Sequence, residues 1–175
     1  MVRSRIAFIG AIVIACLLGL GFANASAIYC SGGLCQGNSA DNNMVGTDYW
    51  DKIEAFDGRD SIWGLPTGDD LHGGGDGDYI EGNPGYDVIR GQTGNDRAFC
   101  NATECGLNGG NGDDTIYGYD GFDTLFGGDE NDVMNGDDNE DILRAYDGQQ
   151  DMVYGGQGDD LCEIDSHDIY GGCFE

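Results

Sequence analysis

Basic residues are scarce in this chain. It has seven Lys and Arg against 33 Asp and Glu, and its two histidines are His72 and His167. All the acidic residues lie beyond residue 25, whereas Arg3 and Arg5 lie before it, so the rest of the chain has five basic residues and a net charge of −28. Because this charge repels the phosphate backbone, we expect no nucleic-acid partner.

Motifs for catalysis are also missing. There is no HExxH, the helical motif that binds zinc in metalloproteases, and two histidines offer few imidazole bases. Ser166, His167 and Asp168 are consecutive, and neighbours in an extended segment point in different directions, so they make a poor nucleophilic triad. We predict that His167 is a surface or cap residue and that the protein is not an enzyme.

Aspartate, by contrast, is abundant and regularly spaced. The chain has 26 Asp, so chance would place about two of them at one position of thirteen nine-residue frames, whereas twelve are found. They return every nine residues, with one inserted residue before the last two: Asp51, Asp60, Asp69, Asp78, Asp87, Asp96, Asp114, Asp123, Asp132, Asp141, Asp151 and Asp160. The spacing therefore marks a structural repeat and not merely an acid-rich composition.

Other positions of the nine-residue unit keep the same phase. Thirteen frames run from Gly46 to Glu163, with Asp at the sixth position of twelve and Gly at the first position of ten. The eighth position is never polar or charged: Ile53, Ile62, Leu71, Ile80, Ile89, Ala98, Leu107, Ile116, Leu125, Met134, Leu143, Val153 and Cys162. The segment before the frames, residues 26–45, is too short to hold a separate catalytic domain.

The clearest frames read GGNGDDTIY from Gly109, GGDENDVMN from Gly127 and GGQGDDLCE from Gly155. They resemble the RTX-type (hemolysin-type) calcium-binding nonapeptide repeat, and the resemblance covers residues 46–163. It implies an all-β fold, a parallel β-roll or β-solenoid, in which each glycine-rich half is a turn, each D-x-U-x half is a strand, and two units make one coil. Glycine allows the positive φ of tight turns, and strand alternation turns the eighth residue inward. Thirteen frames would give about six and a half coils, which bury a core only by stacking.

Residues eighteen apart would lie above one another on successive coils. Asp78 would stack on Asp96, Asp114 on Asp132, and Asp123 on Asp141. Stacked carboxylates beside turn carbonyls suit a hard cation with six to eight oxygen ligands. By resemblance, several calcium ions, about six to nine, lie between coils and are held by the twelve spaced aspartates and by backbone carbonyls. We expect folding to be coupled to calcium. Asp51, Asp60 and Asp69 lie in glycine-poor frames that depart from the family pattern.

The N-terminus predicts secretion. Arg3 and Arg5 precede an apolar run from Ile6 to Phe22, and Ala23-Asn24-Ala25 is a small-residue cleavage pattern, so residues 1–25 are predicted to be a signal peptide. One alternative is an N-terminal transmembrane anchor. The other is a cell-surface lipoprotein, because Val13 to Cys16 loosely resembles a lipobox. The secreted RTX proteins use a C-terminal export signal, so their export route is not carried over.

Cleavage would leave six cysteines, an even number that suits an oxidising compartment. Six cysteines allow fifteen pairings. Pairing of neighbours would staple both ends of the roll: Cys30 with Cys35 in an N-terminal cap, residues 26–45, and Cys162 with Cys173, which lies in a C-terminal cap, residues 164–175.

The middle cysteines replace two repeat residues. Cys100 stands at a first-position glycine and Cys105 at a sixth-position aspartate. We predict a disulfide in place of calcium ligands, which interrupts the row between Asp87 and Asp123. Metal binding by these thiols is the alternative, although two cysteines fall short of the four ligands of a structural zinc site.

A second feature lies at the ninth position of alternate frames, which would form one outward column: Trp63, Glu81, Phe99, Tyr117, Asn135 and Tyr154. Aromatic residues in such a column pack across strands and stabilise the sheet. Alternatively, they bind a carbohydrate or protein partner. The sequence thus predicts a secreted calcium-binding protein with an extracellular structural or adhesive role, and it does not fix the oligomeric state.

Overall fold

The computed structural model describes residues 27–101 and 105–174. The predicted signal peptide and its two alternatives lie outside these residues. Across the described ranges, no helix has the length and apolar character needed to span a membrane.

The described chain is built from two parallel nine-stranded sheets that alternate along the sequence. The odd sheet contains β1 (Ala27–Tyr29), β3 (Asn43–Val45), β5 (Ser61–Trp63), β7 (Tyr79–Glu81), β9 (Arg97–Phe99), β11 (Thr115–Asp120), β13 (Val133–Asp138), β15 (Met152–Gln157) and β17 (Ile169–Gly171). The even sheet contains β2 (Gly33–Gln36), β4 (Asp51–Asp57), β6 (Asp70–Gly75), β8 (Val88–Thr93), β10 (Gly106–Asn111), β12 (Thr124–Asp129), β14 (Ile142–Ala145), β16 (Asp160–Ile164) and β18 (Cys173–Phe174). The predicted parallel β-roll is confirmed, with about eight turns.

The register follows the repeat. Ile62 pairs with Ile80 in the odd sheet, and Ile53 pairs with Leu71 in the even sheet, so successive coils are eighteen residues apart. In strands β4 to β15, a buried eighth residue alternates with outward neighbours. The sheets also extend beyond the thirteen frames, because β1 to β3 precede Gly46 and β17 and β18 follow Glu163.

The core is a single stack of eighth-position side chains between the two sheets. Twelve of the thirteen predicted residues, all except Cys162, are at most 1% exposed. Met44 belongs to the same stack and is fully buried. It is the eighth residue of a further unit, Gly37 to Val45, in which Asn42 takes the place of aspartate. Sequence reasoning missed this unit because it required Asp at the sixth position.

Disulfides close both ends of this core. Cys30 bonds to Cys35, and Cys162 bonds to Cys173, which confirms the predicted staples. Cys35 belongs to the buried cluster, and Cys30, Cys162 and Cys173 pack against it. Tyr170 pairs with the core residue Val153 but is 45% exposed, because it lies at the open end of the odd sheet.

The turns have a fixed backbone shape. The second and fourth residues of most units have positive φ, as in Gly110 (119°) and Gly112 (124°). Eleven described residues other than glycine also have positive φ, among them Phe56 (78°) and Thr67 (107°). Residues with a side chain disfavour positive φ, so at these positions the repeat holds the backbone in a conformation of higher energy.

Candidate metal centre

The sixth-position residues form two columns inside the roll. The odd column precedes the strands of the odd sheet and contains Asn42, Asp60, Asp78, Asp96, Asp114, Asp132, Asp151 and Asp168. The even column lies at the start of the strands of the even sheet, each member directly before the strand or as its first residue, and contains Asp51, Asp69, Asp87, Cys105, Asp123, Asp141 and Asp160. The twelve aspartates predicted from the sequence are all buried, with at most 3% of each exposed.

Hydrogen bonds join the members of each column. The backbone N–H of Asp60 donates to Oδ1 of Asp78 at 2.8 Å, and that of Asp78 donates to Oδ1 of Asp96 at 2.7 Å. In the even column, Asp51 N–H donates to Asp69 at 2.8 Å in the same way. The stacks predicted for Asp78 with Asp96, Asp114 with Asp132 and Asp123 with Asp141 are present. One oxygen of each carboxylate therefore accepts an amide proton, a feature that spacing alone did not predict.

For eleven of the twelve predicted aspartates, the other carboxylate oxygen has no donor among the described residues. Within residues 27–101 and 105–174, no hydrogen-bond partner is found for Oδ1 of Asp51 or for Oδ2 of Asp60, Asp69, Asp78, Asp87, Asp96, Asp114, Asp132, Asp141, Asp151 and Asp160. A buried polar atom without a partner costs about 1–3 kcal/mol, and a charged one costs more. So many such atoms in two lines require a positive partner or a proton.

In the ten units that begin with glycine, that first-position glycine forms the wall of the site. A Cβ on Gly91 would collide with Oδ2 of Asp96 and with the carbonyl oxygen of Gly109 on the next coil. A Cβ on Gly109 would meet Asp114 and Gly127 in the same way. The carboxylate oxygen and the carbonyl oxygen thus converge above the glycine Cα. Both are acceptors, so together they form a cradle for a cation.

Burial raises the pKa of these carboxyl groups. Loss of solvent, with a smaller contribution from neighbouring aspartates in the column, raises the pKa of Asp78 and of Asp132 to about 8. The same desolvation raises the pKa of Asp69 and of Asp114 to about 7. The column hydrogen bond from the preceding coil opposes the rise in each case. A divalent cation beside the carboxylates would reverse this shift.

The donor set fits calcium. The polar atoms that converge on the cradles of Gly91 and Gly109 are oxygens, from a carboxylate or a backbone carbonyl, and Ca²⁺ prefers such ligands. When bound, calcium would supply the positive charge that the buried carboxylates lack. The first turn of the even column is built differently, because Oδ2 of Asp51 accepts hydrogen bonds from the N–H and Oγ1 of Thr47 at 2.6 and 2.8 Å. Its glycine-poor frame departs from the family pattern.

The Cys100–Cys105 disulfide interrupts the even column, as predicted. Cys105 stands between Asp87 and Asp123 in the register of β8, β10 and β12. Its N–H still donates to Oδ1 of Asp123 at 2.9 Å, so the hydrogen-bonded column continues beyond it. The disulfide takes the space between first and sixth positions that glycine and carboxylate share elsewhere.

The sequence pattern did not predict two members of the columns. Asn42 lies nine residues before Asp51, and its N–H donates to Oδ1 of Asp60 at 2.7 Å, so allowing Asn at the sixth position would have found it. Asp168 accepts the N–H of Asp151 at 3.1 Å. It lies seventeen residues after Asp151, outside the repeat period, so the sequence carried no signal for it.

The residues weighed for catalysis take part in other contacts. The N–H and Nδ1 of His167 contact Oδ1 of Asp165 at 2.8 and 3.1 Å, whereas Oδ2 of Asp168 accepts the N–H of Asp165. His72 lies 3.0 Å from Asp70, which also pairs with Arg90 at 2.6 Å. These contacts place His167 at the C-terminal cap and His72 within a surface ion-pair group.

The outward aromatic column is in the predicted register. Phe99 pairs with Tyr117 across β9 and β11, and their rings stack at 5.4 Å with an interplanar angle of 5°. Tyr79 and Tyr119, from other repeat positions, extend the cluster. Because the faces of Phe99 and Tyr117 cover each other, the contacts favour cross-strand packing. Binding of a carbohydrate or protein partner stays a prediction.

Comparison with known proteins agrees with the repeat. A search of the curated proteins found no match. The family model for the RTX calcium-binding nonapeptide repeat matches four segments, residues 36–71, 72–99, 108–143 and 147–162. The first begins before Gly46 and so includes the unit that contains Asn42. The matches cover more than half of the chain, and the chain therefore belongs to the RTX calcium-binding nonapeptide repeat family.

Proposed function

We propose that this protein is secreted, that it binds several calcium ions along its two aspartate columns, and that its fold depends on them. The proposed ligands are the twelve aspartates predicted from the sequence, together with carbonyl oxygens of the first-position glycines. The observation that carries the proposal is the line of buried carboxylate oxygens without donors in each column.

Charge supports the coupling of folding to calcium. Beyond residue 25 the chain has a net charge of −28, and self-repulsion of that size opposes a compact state. Closing the roll also transfers the column carboxylates into an interior where burial raises their pKa. A cation that binds only the closed roll stabilises it by its full binding free energy. The proposed number of ions is about six to nine.

The proposed role is structural or adhesive and lies outside the cell. Three pairs of oxidised cysteines support an oxidising compartment, and the N-terminal sequence supports export. A roll whose described residues fill its centre with apolar side chains and two columns of carboxylates suits a calcium-dependent scaffold.

A calcium titration of the oxidised protein, followed by far-UV circular dichroism, tests the proposal. We expect a cooperative gain of β signal at micromolar to millimolar calcium. Magnesium is the control, because its small octahedral shell does not suit carbonyl-rich cradles. A spectrum that is fully folded in chelator and unchanged by calcium would contradict the proposal.

A further inference from the structure

The Cys100–Cys105 disulfide lies at a position built to hold a metal. In neighbouring coils, a first-position glycine faces a sixth-position carboxylate oxygen across the cradle, as Gly91 faces Asp96. Here both positions carry sulfur, and the two cysteines are only 2% and 3% exposed. The coil keeps the geometry of the cradle and changes the chemistry of its ligands from oxygen to sulfur.

A third ligand lies beside the two sulfurs. One carboxylate oxygen of Asp123 and both Sγ atoms lie within 4.8 Å of one another. The hydrogen bond from Cys105 N–H to Oδ1 of Asp123 fixes that carboxylate against the cysteine backbone. Two sulfurs and one oxygen from a rigid column therefore point to the same small volume.

Reduction would turn the disulfide into ligands. A phosphine reductant gives two electrons to the S–S bond, the sulfurs take two protons from solvent, and the phosphine takes an oxygen from water to become its oxide. A thiophilic cation then displaces the two thiol protons and binds the thiolates. The Cα atoms are 6.5 Å apart, near the wide end of the range for a disulfide, which leaves space for the sulfurs to separate around an ion.

We propose that the reduced protein binds one thiophilic divalent cation, such as Zn²⁺, through Cys100, Cys105 and Asp123, with water completing the shell. Thiolate ligands select such cations over Ca²⁺, which prefers oxygen. The oxidation state of this coil thus determines whether the centre of the roll is closed covalently or holds a second kind of metal. The proposal does not depend on calcium occupying the aspartate columns.

Cobalt(II) is a suitable probe, because thiolate-bound cobalt gives a charge-transfer band in the near ultraviolet that oxygen-bound cobalt lacks. The full oxidised protein is unfolded in urea with the phosphine and diluted into calcium with the reductant kept. It is then titrated with Co²⁺. The variant Cys100→Ser/Cys105→Ser receives the same treatment, so the other four cysteines contribute equally to both samples.

We expect the wild type to bind one Co²⁺ ion per chain, coordinated by thiolate, that the serine variant does not bind. Zn²⁺ should displace this ion. Asp123→Asn should weaken Co²⁺ affinity by about tenfold while the thiolate band remains. Oxidised wild type should show no band. Equal cobalt binding by wild type and the serine variant would overturn the proposal. Loss of the β signal from the reduced wild type in calcium would overturn it as well, because the cradle would then not survive reduction.

Discussion

The backbone N–H of Asp78 donates a 2.7 Å hydrogen bond to Oδ1 of Asp96, the equivalent residue of the next coil. Asp96 therefore has two roles. One oxygen holds the preceding coil in register, and the other faces the cradle.

These two roles can be separated at Asp96. Asp96→Asn keeps an oxygen for the Asp78 N–H but loses the negative charge, so we expect loss of one bound calcium or about a tenfold loss of affinity. Asp96→Ala also leaves the Asp78 N–H without its acceptor, and it should lower the free energy of unfolding by a further 1–3 kcal/mol or so. Calcium titration and urea unfolding measure the two effects. The exposed Asp159→Asn is the control and should change neither quantity appreciably.

Where the first position of a unit is glycine, that glycine should be essential for the cradle. A Cβ on Gly91 would collide with Asp96 Oδ2 and the Gly109 carbonyl, whereas a Cβ on Gly106 would meet nothing within 4 Å. We expect Gly91→Ala to lower calcium affinity strongly and to destabilise the calcium-bound roll by about 2 kcal/mol or more. The matched Gly106→Ala should be neutral or stabilising by up to about 1 kcal/mol. Urea unfolding in saturating calcium measures both, and equal effects would exclude a special role for the cradle.

Replacing Thr67 with glycine should relieve backbone strain. Thr67 is β-branched and has a φ of 107°, a conformation that favours glycine. We expect Thr67→Gly to raise the free energy of unfolding in calcium by about 1 kcal/mol. In strand β11, where φ is not positive, Thr115→Gly should lower it by a similar amount. Destabilisation by Thr67→Gly would show that the threonine side chain contributes more than the turn costs.

Calcium binding should release protons near neutral pH where the roll is already closed without metal, whereas binding to the unfolded chain, whose carboxylates are already ionised, should release few. Without metal, burial raises the pKa of Asp78 and Asp132 to about 8, far above the unfolded value of 3.8. A raised pKa means that the closed roll binds more protons than the unfolded chain between pH 4 and 8, so its metal-free stability falls as pH rises through this window. Calcium competes with those protons, and its apparent affinity should rise from pH 5 to pH 8. Calorimetry in buffers of different ionisation enthalpy measures the protons released. An affinity independent of pH would show that the carboxylates are already ionised.

The interrupted even column should be repairable. Cys100→Gly/Cys105→Asp restores the residues that form a cradle elsewhere, and it places a carboxylate between Asp87 and Asp123. We expect at least one more bound calcium per chain than in wild type, counted by native mass spectrometry. Cys100→Ser/Cys105→Ser also removes the disulfide but adds no carboxylate, so it should gain none. If the glycine–aspartate variant folds in calcium without an extra ion, the disulfide does not replace a metal position.

Much of the fold follows from periodicity. The resemblance to the RTX repeat implied two units per coil. The nine-residue phase then predicted the register of Ile62 with Ile80 and the buried eighth position, because a strand can bury only alternate residues. It also predicted which aspartates stack. The end staples followed from cysteine positions, since a solenoid must cover its terminal core residues.

Other features depend on individual hydrogen bonds and side chains, which the sequence spacing does not describe. Sequence spacing placed Asp78 above Asp96 but could not show that a backbone N–H would lie between them. Asn42 was missed because an amide replaced the expected acid, and Asp168 was missed because the C-terminal turn breaks the period. The aromatic cluster is broader than predicted, because Tyr79 and Tyr119 reach it from other positions of the unit.

The one-residue insertion before Asp151 shows where this roll accepts foreign sequence. Asp132 and Asp141 still donate to Asp151 and Asp160 at 2.8 and 2.9 Å across a nineteen-residue step, so the extra residue is absorbed entirely in the turn. Tyr146 is 62% exposed in that turn, and Gln149 and Gln150 are exposed beside it. A peptide grafted there would be displayed outside both columns, and its presentation could be switched by the same ions that assemble the scaffold.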